Sequence, residues 1–146
     1  MTLFIRLNNS MNTDYSDIYL KNLLEEVKTV AVIGASANKE RDSYKVMEVL
    51  IKNGYILFPV NPNEVGNFIL GRECFANIED IKQEIDLVDI FRDLGAVMGI
   101  VKQAIKIGAK VLWMQEGIIH QEAADLAKNA GLKVIMDRCP KKILEK

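Results

Sequence analysis

The tripeptide Gly34-Ala35-Ser36 is where the residue types of this chain first suggest chemistry. A glycine lets the backbone turn sharply and come close to a ligand, and a serine adds a hydroxyl. If a helix begins just beyond, its open amides favour an anion. Three cations follow, Lys39, Arg41 and Lys45. A guanidinium forks onto phosphate oxygens, while an ammonium acts as a point charge. Phosphate binding is therefore the chemistry this stretch can do, against the plainer reading that each cation is a solvated surface charge. The dinucleotide fingerprint G-x-G-x-x-G is absent, because Ala37-Asn38-Lys39 stands where the later glycines belong. The next apolar run ends in Val60-Asn61-Pro62, without the Asp or Glu that holds the ribose 2′-hydroxyl in NAD sites. A plain NAD site is disfavoured, and the cationic loop suits a ligand with more phosphate.

Elsewhere the reactive residue types stand alone. Cys74 and Cys139 are far apart, outside any C-x-x-C pairing and without flanking histidine, so neither a zinc site nor a redox dithiol is indicated. Cys139 follows Arg138, a cation that would favour a thiolate, and a mixed disulfide with a ligand thiol is one expectation for it. Buried packing is the commoner fate of a cysteine. His120, the single histidine, has no Ser, Cys or carboxylate partner in a motif and is read as a cap or surface residue. Asp86 and Asp89 are expected to be solvated or capping, with no metal site. Trp113 and Phe91 fall at strand ends, where aromatics are usually core; Phe91 is the better candidate for lining a ligand slot. With no set of nucleophile, base and orienter, no catalytic residue is assigned and the chain is not expected to be an enzyme.

These residues need elements to hold them. Ile18, Leu20, Leu23, Leu24 and Val27 recur at helical spacing, so a leading helix is expected, with Asp14 or Ser16 as its N-cap and an edge of the sheet as its seat. Residues 29–34 read as a β-branched strand ended by glycine, residues 43–53 as a helix, and residues 55–60 as a second strand. After a loop and a short helix at 78–84 come a third strand at 87–91, a helix at 95–107, a fourth strand at 110–114, a helix at 119–130 and a fifth strand at 133–136. Short apolar strands alternating with helices imply an α/β fold with a parallel sheet covered on both faces. The expected architecture is a Rossmann-like, doubly wound three-layer sandwich, its five-stranded sheet of order 3-2-1-4-5, with an extra N-terminal helix. Residues 1–14 are expected to be a flexible tail with a second possible start at Met11, and residues 15–146 a single domain.

In such sheets the ligand lies beyond the carboxyl ends of the strands. The residues there are Ser36, Asn61-Pro62-Asn63, Arg92, Gln115-Glu116-Gly117 and Asp137-Arg138-Cys139-Pro140, all polar stretches. Together with Arg41 and Ser43-Tyr44, and with Asp89-Ile-Phe-Arg92 and Trp113-Met-Gln-Glu-Gly117 in order, they resemble the motifs of small bacterial stand-alone CoA-binding domain proteins. The resemblance covers about residues 29–140. The domain that opens the alpha subunit of succinyl-CoA synthetase is similar, but the phosphorylated histidine of that enzyme lies in a following domain that the resemblance does not cover. The resemblance implies binding of coenzyme A or an acyl-CoA without ligase chemistry. Coenzyme A also has the extra phosphate, on its ribose 3′ position, that the basic loop suits. The residues expected to hold it are Gly34, Ala35, Ser36, Lys39, Arg41, Ser43, Tyr44, Lys45, Val60, Asn61, Pro62, Phe91, Arg92, Gln115, Gly117, Arg138 and Cys139. Two other functions stay open: an NAD(P)-binding redox or sensor domain, whose 2′-phosphate would also suit Arg41, and a subunit completing an acyl-CoA ligase with another chain. A protein partner or a homo-oligomer is compatible with either.

Composition narrows the surroundings. The 146 residues are 49% apolar and 27% charged, an ordinary globular balance, and the net charge of −1 makes no general case for nucleic acid or an anionic membrane. No run approaches the roughly 18 apolar residues of a membrane span, and residues 1–7 are too soon interrupted to be a secretory signal. Two unpaired cysteines fit a reducing cytoplasm, where Asn8-Asn9-Ser10 would have no meaning for glycosylation.

Overall fold

A computed structural model describes residues 13–146. Most of the expected tail lies outside the described residues.

Ser16 caps the first helix, α1 (Asp17–Glu26), its hydroxyl accepting the Tyr19 amide at 3.1 Å. Its apolar stripe Leu20, Leu23 and Leu24 is buried. Strand β1 (Thr29–Ile33), helix α2 (Asp42–Lys52) and strand β2 (Ile56–Val60) follow. A 3₁₀ turn (Pro62–Glu64) leads to a two-residue hairpin, β3 (Phe68–Ile69) and β4 (Arg72–Glu73). A second 3₁₀ turn (Ile78–Asp80) precedes β5 (Leu87–Ile90), α3 (Leu94–Lys106), β6 (Val111–Met114), α4 (Gln121–Asn129), β7 (Lys133–Ile135) and α5 (Pro140–Leu144). The helix expected at 78–84 is thus a single turn; by Ile81 the backbone is already extended.

The main sheet is parallel and five-stranded, in the order β2-β1-β5-β6-β7. It is the expected α/β, Rossmann-like sandwich. The third long strand, however, lies beside β1 rather than outside β2, with Val32 level with Asp89. The outer place beyond β2 belongs to one parallel bridge, Val60 with Phe75. Counted with that bridge as a third strand, the order from that edge reads 3-2-1-4-5-6, which contains the expected 3-2-1-4-5 winding. The hairpin diverts this segment so early that its sequence carries no strand-length apolar run.

Alternation along the strands sends Val30 and Val32, Leu87, Val111 and Trp113, and Ile135 to one face, under α1, α2 and α5. Ala31 and Ile33, Val88 and Ile90, Leu112 and Met114 go to the other, under α3 and α4. The leading helix therefore covers a face of the sheet, not an edge: an edge could not bury its three leucines. Just ahead of it, the Tyr15 hydroxyl accepts the Met136 amide at 2.9 Å, tying the lead-in to the end of β7. Among the described residues no helix is long and apolar enough to cross a membrane.

Candidate functional site

Helix α2 leaves β1 on one face and α3 leaves β5 on the other, so the connections diverge between these neighbouring strands. A crevice opens at such a switch point. Here it is a cleft of about 570 Å³ lined by the loops after β1 (Gly34, Ser36), β2 (Asn61, Pro62, Asn63) and β5 (Phe91, Arg92), and by Arg41, Asp42 and Ser43 at the start of α2.

The first loop is fixed from below. The amides of Gly34 and Ala35 both donate to the Val60 carbonyl, at 2.9 and 3.2 Å, and the Asn61 side-chain amide donates to the Ala35 carbonyl at 2.8 Å. Gly34 has φ +90°, and a Cβ there would stand 2.5 Å from the Phe91 carbonyl oxygen and 3.1 Å from Arg92 Cδ. Only glycine lets the β1 turn lie against the β5 loop, with the stem of Arg92 across it. Beyond it, Ser36 Oγ accepts the Asn38 amide and Asn38 Oδ1 accepts that of Glu40, so consecutive side-chain turns deliver the chain to α2.

Arg41 is the N-cap of α2 but supplies no side-chain cap; its carbonyl takes the Tyr44 amide at 3.1 Å, and among the described residues the Asp42 and Ser43 amides that open this eleven-residue helix have no acceptor. Among the described residues neither the Arg41 nor the Arg92 guanidinium has an ion-pair or hydrogen-bond partner. Two open guanidinia beside an uncapped helix start are groups that suit an anion.

Eight of the residues expected to bind ligand line this cleft: Gly34, Ser36, Arg41, Ser43, Asn61, Pro62, Phe91 and Arg92. The others lie apart from its lining. Ala35 and Val60 are core residues that pin the loop, Tyr44 packs half-buried against the core, and Lys39 and Lys45 are exposed. Gln115, Gly117, Arg138 and Cys139 follow β6 and β7. Gly117 donates its amide to Asp137 Oδ1 at 2.7 Å, joining these two loops. Arg138 stacks over the Tyr15 ring at 5.3 Å and donates to the carbonyls of Asp137 and Thr13. Cys139 is buried among the helices of the first face.

Three further residues behave in ways the sequence did not suggest or only half suggested. His120 is the N-cap of α4, its Nδ1 accepting the Ala123 amide at 3.1 Å. Asp86 is the expected cap: it accepts the Lys28 and Thr29 amides and pairs with Lys110 at 3.3 Å, and although burial opposes ionisation, these contacts hold its pKa below the ordinary carboxyl value. Asp89 is neither solvated nor capping. It is fully buried on β5, level with Val32 and Trp113, and neither carboxyl oxygen has a partner among the described residues. Burial holds its pKa well above the ordinary carboxyl value. Gln115, two residues after Trp113 and so on the same face, buries an equally unpartnered Oε1.

One carboxylate escaped the sequence reading. Glu64, in the 3₁₀ turn after β2, accepts the Ala37 amide at 3.2 Å through Oε2 and the Asn67 side chain at 3.4 Å through Oε1. The absence of an acid at the end of the strand itself did not exclude one four residues on, brought back by a turn that begins with the Asn61 side chain accepting the Asn63 amide at 2.9 Å.

A parallel α/β sheet with a cleft at its switch point places the chain in the doubly wound class, whose ligands bind beyond the carboxyl ends of the strands. Within that class the chain belongs to the CoA-binding domain family, whose sequence profile matches residues 28–145. It is 33% identical over 122 residues to the protein YneT of Bacillus subtilis, covering 84% of this chain and 89% of that one. The hypothetical protein from Pyrococcus horikoshii OT3 has a similar solved structure, with 38% identity, a TM-score of 0.85 and 92% and 93% of the two chains covered. A 79-residue segment is 37% identical to the ADP-forming acetate–CoA ligase II of Archaeoglobus fulgidus, spanning 53% of this chain but 11% of the ligase.

Proposed function

We propose that this chain binds coenzyme A or an acyl-CoA in the cleft between β1 and β5 and performs no ligase chemistry of its own. The observation that carries the reading is the uncapped start of α2 flanked by the unpartnered Arg41 and Arg92. That arrangement suits a diphosphate, which would take the helix amides and bridge the two guanidinia. Asn61 and Phe91 line the same cleft and suit the nucleoside or the pantetheine arm. The ionisable lining residues are Arg41, Asp42 and Arg92; the two arginines suit an anion, and the three make no nucleophile and base pair. Membership of the CoA-binding family supports the ligand, and the small fraction of the archaeal ligase that is matched supports a binding part whose chemistry, where there is any, belongs to a partner chain.

Calorimetric titration against CoA, dephospho-CoA and NAD(H) tests this. CoA should bind most tightly, and equal or better affinity for NAD(H) would overturn the ligand. The second reading, a nicotinamide dinucleotide, draws on Glu64, since a carboxylate just after β2 suits a free ribose diol.

A further inference from the structure

Glu64 brings a negative charge to the edge of a cleft built for anions. Its carboxylate is held at both oxygens, by the Ala37 amide and by Asn67. The backbone of the turn holds it too, with the Glu64 amide on the Asn61 carbonyl at 3.0 Å and the Asn67 amide on the Glu64 carbonyl at 3.0 Å. The Ala37 amide belongs to the loop after β1, between Ser36 in the cleft lining and the turn into α2. Main-chain amides of such a loop are the groups that take phosphate oxygens in this kind of sheet. In this chain one of them is already taken, by an anion of the protein itself. Asp42 is the one carboxylate of the lining itself, so Arg41 and Arg92 share the cleft with one negative charge and have that of Glu64 next to Asn63 at its edge.

We propose that Glu64 is a built-in competitor at the anion seat: a phosphate entering the loop must displace or outweigh its carboxylate, which lowers affinity for every phosphate-bearing ligand and ties loop 34–38 to the β2 turn while the cleft is empty. The inference rests on the cleft being an anion-binding site, and it adds that affinity there is set below what the two arginines and the helix start could give. Ligand entry then exchanges one anion for another on the Ala37 amide. Loss of that contact frees the turn at Pro62–Glu64, so the lip of the cleft responds to occupancy.

Glu64→Gln keeps a side-chain oxygen for the Ala37 amide and removes only the charge. Calorimetry at low salt with two probes, CoA and inorganic pyrophosphate, should show the variant binding each roughly three- to tenfold more tightly than the wild type, the size of one partly screened charge interaction. In the isotope-labelled wild type, the Ala37 amide resonance should shift as either probe saturates. Equal or weaker binding by Glu64→Gln, while the wild type binds, overturns the inference and leaves the CoA reading standing. An Ala37 resonance unmoved at saturation overturns it equally. Tighter pyrophosphate binding by the variant with no CoA binding by either protein supports the competitor and removes the CoA reading. No binding of either probe by either protein overturns both.

Discussion

Replacing Asp89 by Asn tests the buried acid through a pH slope instead of a single stability value. In the folded chain the carboxyl is fully buried, without partners among the described residues, and its pKa is well above the ordinary 3.8. In the unfolded chain it ionises at about its ordinary value. The unfolded state therefore binds fewer protons than the folded one throughout the interval between the two values. Asp89 favours folding fully below pH 3.8, and that contribution is lost as pH rises towards the folded value. Each pH unit inside that interval costs about 1.4 kcal/mol. Asparagine has nearly the same shape and does not titrate. Whatever its amide costs or gains in that cavity is nearly independent of pH, and every other titrating group is common to both proteins. Urea unfolding of both chains at pH 5, 6, 7 and 8 should show the stability of Asp89→Asn rising relative to wild type by up to about 1.4 kcal/mol per unit. Parallel curves across this range would refute the raised pKa of the buried acid on β5.

Gly34→Ala should destabilise by about 1–3 kcal/mol in urea and abolish tight ligand binding, because the added Cβ meets the Phe91 carbonyl at 2.5 Å in a positive-φ turn. Arg41→Ala and Arg92→Ala should each raise the CoA Kd roughly tenfold and flatten its dependence on salt, with unfolding little changed. His120→Ala should lower stability by about 1 kcal/mol through loss of the α4 cap and leave CoA affinity as it was, as calorimetry and thermal unfolding can show together.

The five long strands and their crossovers could be read from the sequence because each is a short apolar run between punctuating polar residues, and burial on both faces leaves just that trace. What escaped depended on contacts between segments distant in the chain. The Phe75 bridge is a single residue pair and carries no periodic signal. The face under α1 was missed because three leucines at helical spacing say that a helix is buried, not against what. At the site, Gly34, Arg41, Asn61 and Arg92 were visible because strand ends are where such sheets present ligand residues. Lys39 and Lys45 looked equivalent to Arg41 by spacing, but the side-chain turns of Ser36 and Asn38 set the loop so that only Arg41 of the three lines the cleft. Glu64 and Asp89 went unrecognised for opposite reasons. One is returned to the site by a turn, and the other stands in a strand position where a carboxylate is costly and a sequence gives no hint that it is left alone.

The hydrogen bond from the Met136 amide to the Tyr15 hydroxyl bears on how copies of this chain behave when crowded together. An open parallel sheet ends in two rows of backbone groups, each able to template a strand from a neighbour and so seed aggregation. At one end the Phe75 bridge takes up the last residues of β2. At the other, β7 is three residues long, and the phenol claims the next donor along. A foreign strand docking there finds too few consecutive partners to gain register, so a side chain ahead of the first helix serves as a stopper against fibre-like growth. Tyr15→Phe, which keeps the ring and removes the hydroxyl, would reopen that donor.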